Sequence, residues 1–171
     1  YDDLILAVGS EGTTFGIPGV AENVFQMKSV IDARKIRHSL LSTYESVEDG
    51  LLPLESLNVV IVGGGPTGVE LAGAVNELQH EIRREFEHIA PKATVTLLEA
   101  GPRLLPTFHP HSSKYTLKTL TKMGVHVQVD AAVVEATPRS LILKDGSEIV
   151  AGTRIWAAGV VAPPNWKFLG E

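Results

Sequence analysis

The chain has 171 residues, of which 44% are hydrophobic and 20% charged, with a formal net charge of −5 and no cysteine. This size and composition predict a soluble globular protein of one domain or slightly more. The negative charge and the scattered Lys and Arg residues argue against nucleic acid as a partner, and no apolar run approaches the roughly 18 residues of a membrane-spanning helix. The missing cysteines exclude disulfides, thiolate metal sites and a Cys-x-x-Cys redox pair within these residues.

The chain opens on a strand-like run. Residues 4–8 are continuously apolar and predict a buried strand, and residues 16–19 contain the Gly and Pro of a turn. Because Tyr1 stands almost directly before this strand, we expect the sequence to be a piece of a longer polypeptide.

A helix and a linker follow. Ser29 and Asp32 have the spacing of a capping box, and apolar residues recur behind them at helical intervals, which predicts a helix over residues 29–43. Residues 45–55 show no sustained period and predict a linker.

Strands and helices alternate after Leu57, which predicts a Rossmann-like α/β fold with a parallel sheet and crossover helices. The predicted strands are 58–62, 94–99 and 125–129, and the predicted helices run from Pro66 to residue 90 and over 112–123. The short runs 133–134, 140–143 and 148–150 predict an antiparallel β-meander, with Asp145-Gly146 at a hairpin turn and a last strand over 154–157 before Pro163-Pro164.

The sequence VVIVGGGPTGVE, from Val59 to Glu70, contains a glycine-rich turn. Its glycines match G-x-G-x-x-G, directly after a predicted strand and directly before a helix. The first glycine allows a tight turn, the second lets the backbone approach a pyrophosphate, and the third allows close helix–strand packing, while free amides face the phosphates. We predict that this turn binds a dinucleotide through Gly63, Gly64, Gly65, Pro66, Thr67 and Gly68; a turn without a ligand is the alternative.

An acidic residue at the end of the second strand is the other part of this fingerprint, where it accepts hydrogen bonds from the adenosine ribose. Glu99 takes this place, although it lies 31 residues after Gly68; an apolar stripe reaching Ile89 predicts that a long helix accounts for the distance. A carboxylate there favours a free 2′-hydroxyl and repels a 2′-phosphate, which predicts NADH rather than NADPH. Arg103 lies four residues after Glu99, and we interpret it as a loop residue or a contact to the adenine side. The alternative is that it binds a 2′-phosphate.

Two further features leave alternatives open. Glu70 is explained either as an acid stabilised by the dipole of the helix that Pro66 opens or as a functional carboxylate, and the spacing does not decide between them. Of the six histidines, only His109 and His111 are close in sequence, and none has an acidic partner at metal-site spacing. The histidines therefore predict surface or loop positions rather than a metal site.

The three motifs over residues 62–70, 98–106 and 154–160 resemble the NADH domain of type II NADH dehydrogenases, which are flavoproteins with two dinucleotide domains. Residues 3–10 and 15–19 resemble the point where the FAD domain hands over to the NADH domain. The resemblance implies three regions: 1–57 as the end of the FAD-domain region with a connecting helix and linker, 58–160 as the NADH-binding domain, and 161–171 as the start of the return to the FAD domain.

The resemblance implies a peripheral membrane enzyme, on the cytoplasmic side, that passes a hydride from NADH to FAD and electrons to a quinone without pumping protons. It places Glu70 toward the nicotinamide, Ala100 beside Glu99 in the nucleotide site, and the turn of residues 157–159, with Ala158 and Gly159, near the cofactors. No side chain of this chain need act as acid or base. Membrane contact would come only from segments outside these residues, and a homodimer is an open alternative.

Some features depart from the family pattern. Val8 stands where related flavoproteins often have Thr, and the family's FAD fingerprint, quinone segment and membrane helices are not within these residues. We therefore expect the chain to bind NADH and to be inactive alone. The alternatives are the NADH domain of a ferredoxin or nitrite reductase-like enzyme and a non-catalytic NAD(H)-sensing module; Glu99 and the turn after Trp156 argue against glutathione-reductase-like enzymes.

Overall fold

The computed structural model describes residues 2, 3, 5, 7, 9–82 and 84–163. In chain order the described elements are β1 (Glu11–Gly12), α1 (Val20–Asn23), β2 (Phe25–Gln26), α2 (Val30–Glu48), a 3-10 turn (Leu54–Leu57), β3 (Val59–Val62), α3 (Pro66–Ile82), a 3-10 turn (Ala90–Lys92), β4 (Val95–Leu98), α4 (Pro110–Met123), β5 (His126–Gln128), β6 (Val133–Ala136), β7 (Ser140–Leu143), β8 (Glu148–Val150), β9 (Thr153–Trp156) and β10 (Val160–Val161).

A parallel sheet with the strand order β2-β9-β3-β4-β5 forms the centre of the fold. Every residue of β3, β4 and β9 is buried, because helices cover one face of the sheet and the antiparallel meander β6-β7-β8 covers the other. Side chains alternate between these faces: Ile61 packs against the helices, whereas Val60 and Val62 pack against the meander. The predicted α/β fold with a meander is confirmed.

Helix α2 begins as predicted and ends later than predicted. The Ser29 hydroxyl accepts a hydrogen bond from the Asp32 amide at 3.2 Å, and the Asp32 carboxylate accepts one from the Ser29 amide at 2.9 Å, which completes the capping box. The helix continues to Glu48 because Tyr44 and Val47 are buried in one cluster with Leu57, Ile82 and Ala93. The linker prediction is therefore wrong at its beginning.

Helix α3 ends at Ile82, so the predicted extension to residue 90 is wrong. Arg84 and Glu85 donate hydrogen bonds to carbonyls three residues earlier, which is a turn pattern. Phe86 continues the apolar spacing of the helix although it lies in this turn. Its ring is partly buried because its centroid lies 5.5 Å from that of the Tyr44 ring. The long spacing to Glu99 therefore combines a helix with a folded connection.

The predicted strand over residues 4–8 is not confirmed. Leu4, Leu6 and Val8 lie outside the described residues, and Ile5 is 91% exposed and outside any strand, since no described strand pairs with this segment. The ends of the described chain meet instead in the antiparallel pair β1-β10. Residues 164–171 of the predicted return segment also lie outside the described residues. Within the described ranges, no helix has the length and apolar character needed to cross a bilayer.

Candidate nucleotide-binding site

The glycine turn lies at the carboxyl end of β3, in the centre of the sheet. Gly63 has a φ of 113°, and a Cβ there would lie 2.8 Å from the Ala158 amide nitrogen. A Cβ on Gly68 would overlap the Gly63 carbonyl oxygen, so helix α3 can approach the strand only with glycine at that position. These two contacts give the first and third glycines of the fingerprint the roles that the sequence predicts.

The Glu99 carboxylate bridges two backbone amides at the mouth of this turn. One oxygen accepts a hydrogen bond from the Gly64 amide at 2.6 Å and the other accepts one from the Gly101 amide at 2.7 Å. Both distances are short, as expected for a charged acceptor. The carboxylate is only half-buried, so its remaining lone pairs can accept hydrogen bonds from a ligand.

A cavity of about 430 Å³ lies beside the turn and the carboxylate. Its volume is within the usual range for small-molecule sites. The cavity brings together half of the twelve residues that the sequence predicts: Gly63, Gly65, Glu99, Ala100, Ala158 and Gly159. Gly65 has open space where a side chain would be, so a ligand can approach its backbone.

Several lining residues were missed by the sequence analysis: Phe15, Ile17, Val62, Ala131, Ala132, Val133 and Trp156. Most come from the segment before α1 and from the residues that lead into the meander, where no motif marks a site. The end of β9 is the signal that could have located Trp156, since this residue directly precedes the predicted turn of residues 157–159. Ala157, which belongs to that turn, also lines the cavity.

The remaining predicted residues lie around the cavity rather than in its lining. Gly64 and Gly68 are buried behind it, and Pro66 is exposed on the first turn of α3. Thr67 lines a smaller cavity of about 80 Å³, which shares Ala158 and Gly159 with the larger one. The turn of residues 157–159 thus separates two hollows.

Glu70 is exposed on α3 and does not line the larger cavity. It is the fifth residue of the helix, and the first turn contains no acidic residue, so the stabilisation that an acid gains at a helix N-terminus is weak here. Among the described residues, no group hydrogen-bonds to its carboxylate. Stabilisation by the helix dipole is therefore a weak explanation of an acid at position 70.

Arg103 is a loop residue that supports the turn from behind. Its guanidinium donates hydrogen bonds to the Phe108 carbonyl at 3.0 Å, to the Ser113 hydroxyl at 2.9 Å and to the Pro106 carbonyl. The loop so formed donates the Leu105 amide to the Gly64 carbonyl at 2.8 Å. Arg103 is thus connected to the glycine turn through the loop backbone.

All six histidines are exposed, which confirms the prediction of surface or loop positions. His109 caps α4, and its Nδ1 accepts a hydrogen bond from the His111 amide at 3.2 Å. The described part of the chain contains no group of three or more His, Asp and Glu residues arranged for a metal ion.

Comparison with known families supplies the wider context of this site. Residues 1–170 match the model of the family described as pyridine nucleotide-disulphide oxidoreductase. The chain belongs to this family. The fingerprint turn, the strand-end carboxylate and the sheet order are consistent with a pyridine nucleotide site in a family member.

Two curated relatives of this chain are named oxidoreductases of a quinone, one with NAD(P)H and the other with NADH. The internal alternative NAD(P)H-ubiquinone oxidoreductase A1 of Arabidopsis thaliana mitochondria is 39% identical over 165 residues, which cover 94% of this chain and 32% of the relative. The type II NADH:quinone oxidoreductase Ndh of Mycobacterium tuberculosis is 36% identical over 180 residues, covering 100% and 39%. The chain thus spans about a third of the length of these relatives.

Solved structures agree in fold. The chain is similar to NDH2 from Plasmodium falciparum in complex with NADH, with a TM-score of 0.87 and 29% identity over 95% of this chain and 35% of that one. A ferredoxin reductase from Rhodopseudomonas palustris gives a TM-score of 0.71 at 18% identity, with 95% and 35% covered, and that likeness shows the fold alone.

Proposed function

We propose that this chain is the NADH-binding part of a type II NADH:quinone oxidoreductase. The observation that carries the proposal is the position of the Glu99 carboxylate, which two amides hold beside the fingerprint glycine turn and the 430 Å³ cavity. A fixed carboxylate at the end of the second strand accepts hydrogen bonds from ribose hydroxyls and repels a 2′-phosphate.

The arrangement of the described residues supports a specific orientation for the nucleotide. The amides around Gly63–Gly68 and the N-terminus of α3 bind the pyrophosphate. Glu99 and Ala100 contact the adenosine end of the nucleotide, and Ala158 and Gly159 contact the nicotinamide end. Glu70 orients the nicotinamide from α3. These residues bind and orient NADH and exclude water; they need not transfer protons.

The rest of the reaction belongs to the whole protein. FAD held by the parts of the whole protein outside this chain would supply the redox chemistry that links hydride transfer from NADH to quinone reduction. We propose that residues 58–160 are the NADH-binding domain, that 1–57 and 161–171 join it to the FAD domain, and that the parent enzyme is a peripheral protein on the cytoplasmic side of its membrane. The relatives reported above are named oxidoreductases, which favours an enzyme over a nucleotide sensor.

The test is NADH oxidation by the full-length protein with a soluble short-chain quinone, compared with a ferredoxin as the acceptor. We expect flavin absorbance and quinone-dependent oxidation of NADH. Turnover with ferredoxin alone would favour the reductase alternative, and a full-length protein without flavin absorbance would refute the dehydrogenase proposal and favour a sensor.

A further inference from the structure

Phe15 has a backbone conformation and an exposure that are both unfavourable for a phenylalanine. Its φ is 52°, in the left-handed region that residues with a Cβ rarely adopt. Its side chain is 64% exposed, so the ring gains little from burial. Such strain persists only where the surrounding structure holds it, and it is concentrated at ligand sites.

The surroundings of Phe15 hold its ring in one place. The Phe15 amide donates a hydrogen bond to the Thr13 hydroxyl at 3.1 Å, and the Trp156 indole N–H donates one to the Thr13 carbonyl at 2.8 Å. The ring lies 6.5 Å from the Trp156 ring, in a tilted arrangement. Its far edge occupies the space that a Cβ on Gly159 would need, so the ring rests directly on the Gly159 backbone.

The exposed ring lines the nucleotide cavity at a definite end. Glu99 follows β4, the glycine turn follows β3, and Gly159 follows β9, and these three strands are neighbours in that order. Strands are about 4.8 Å apart. A dinucleotide whose ribose lies at Glu99 and whose pyrophosphate lies over the glycine turn therefore extends toward the end of β9, where Phe15 lines the same cavity.

We propose that Phe15 is a contact residue for the nicotinamide half of NADH, forming the apolar wall of the cavity at the end of β9. This inference rests on the proposed function, because it needs the adenosine end at Glu99. The flat ring offers a face or edge for the nicotinamide and excludes water beside it. Because residue 159 is glycine and has no side chain, the Phe15 ring can lie against the backbone there.

The experiment compares two ligands in the full-length protein. The flavin of each protein is first reduced under anaerobic conditions, so that NADH binds without transferring a hydride. Calorimetry then measures the affinity of NADH and of ADP-ribose, which lacks nicotinamide, for the wild type and for Phe15→Gly. The glycine variant removes the ring and relieves the positive φ, and this relief offsets part of the stability lost with the Trp156 contact and with the freer unfolded chain. We therefore expect the variant to fold, with thermal unfolding close to that of the wild type. We expect NADH to bind about three- to tenfold more weakly, the effect of one aromatic contact, with ADP-ribose unchanged.

Two control variants complete the test. Phe15→Tyr keeps the ring and should keep the affinity for NADH. Tyr115→Ala removes an aromatic side chain of similar exposure (66%) from α4 and should leave the affinities for NADH and ADP-ribose unchanged. Equal losses for NADH and ADP-ribose, no loss for either, or a marked drop in the stability of Phe15→Gly would overturn the role of Phe15. A wild type that binds neither ligand would instead refute the proposed function itself.

Discussion

Replacing Glu99 with glutamine should change the choice between NADH and NADPH. The substitution keeps the shape of the side chain and removes its charge. In the wild type the two carboxylate oxygens accept hydrogen bonds from the amides of Gly64 and Gly101. The glutamine NH₂ group faces one of those amides as a second donor, and we expect this mismatch to lower stability by about 1–2 kcal/mol.

The effect on nucleotide preference follows from Coulomb's law. With about 5 Å between the carboxylate and a 2′-phosphate, and an effective dielectric of about 40 for a half-exposed site, each unit of phosphate charge is repelled by about 1.7 kcal/mol. A phosphate of charge near −2 is then disfavoured by about 3 kcal/mol, or roughly a hundredfold in affinity. Loss of the charge-assisted ribose hydrogen bond weakens NADH by about 1 kcal/mol more.

The assay is the ratio of the affinities for NADH and NADPH, measured by anaerobic calorimetry on the full-length protein after its flavin has been reduced, so that neither nucleotide reacts during the titration. The account predicts that the ratio falls by roughly a thousandfold in Glu99→Gln, the sum of the two effects of about 4 kcal/mol, and that the wild-type ratio decreases at high salt because screening weakens the repulsion. Glu135→Gln removes an equal charge from an exposed position on β6 and should leave the ratio unchanged. A Glu99→Gln ratio equal to that of the wild type would refute the role given to this carboxylate.

Other substitutions test the neighbouring assignments. Glu70→Gln should slow flavin reduction by about tenfold with a smaller loss of NADH affinity, and unchanged reduction kinetics by stopped flow would contradict its placement. Arg103→Met should lower the affinities for NADH and NADPH equally, by about three- to tenfold in the same calorimetry, because it loosens the loop behind Gly64. A loss of affinity confined to NADPH would indicate a phosphate contact. Asp32→Asn should lower the melting temperature at pH 7, because the Ser29 hydrogen bonds lower the pKa of Asp32 from its ordinary value of 3.8. That stabilisation is present above the ordinary pKa and is lost as the pH falls through the lowered pKa of the folded state, so the difference should shrink in acid; a difference independent of pH in thermal unfolding would contradict it.

The central sheet and the glycine turn could be predicted because local signals are strong there. The strand Val59–Val62 is a short apolar run that ends at a run of glycines, and the third glycine of the fingerprint has a packing contact that other residues cannot share. The strand-end position of Glu99 follows from the topology, since a carboxylate directly after the second strand must lie beside the first turn.

The errors have a common physical cause, which is that apolar periodicity reports packing rather than backbone conformation. Phe86 continues the helical spacing of α3 but packs on Tyr44 from a turn. The buried residue Val47 extends α2 into a segment whose spacing predicts a linker. Tertiary contacts decide both boundaries, and a single sequence does not display them.

Phe15 shows why the full cavity lining could not be predicted. It stands alone in a loop, without periodicity or a charged partner, and its importance depends on contacts with Trp156 and Gly159, more than a hundred residues away. Only folding brings these residues together.

Anaerobic mixing of the full-length protein with NADH tests the central claim most directly. The account predicts that the visible absorbance of the flavin bleaches rapidly with NADH, much more slowly with an equal concentration of NADPH, and returns when a soluble quinone is added. Bleaching that is equally fast with both nucleotides would contradict the selectivity assigned to Glu99, and a flavin that NADH does not reduce would contradict the proposed function.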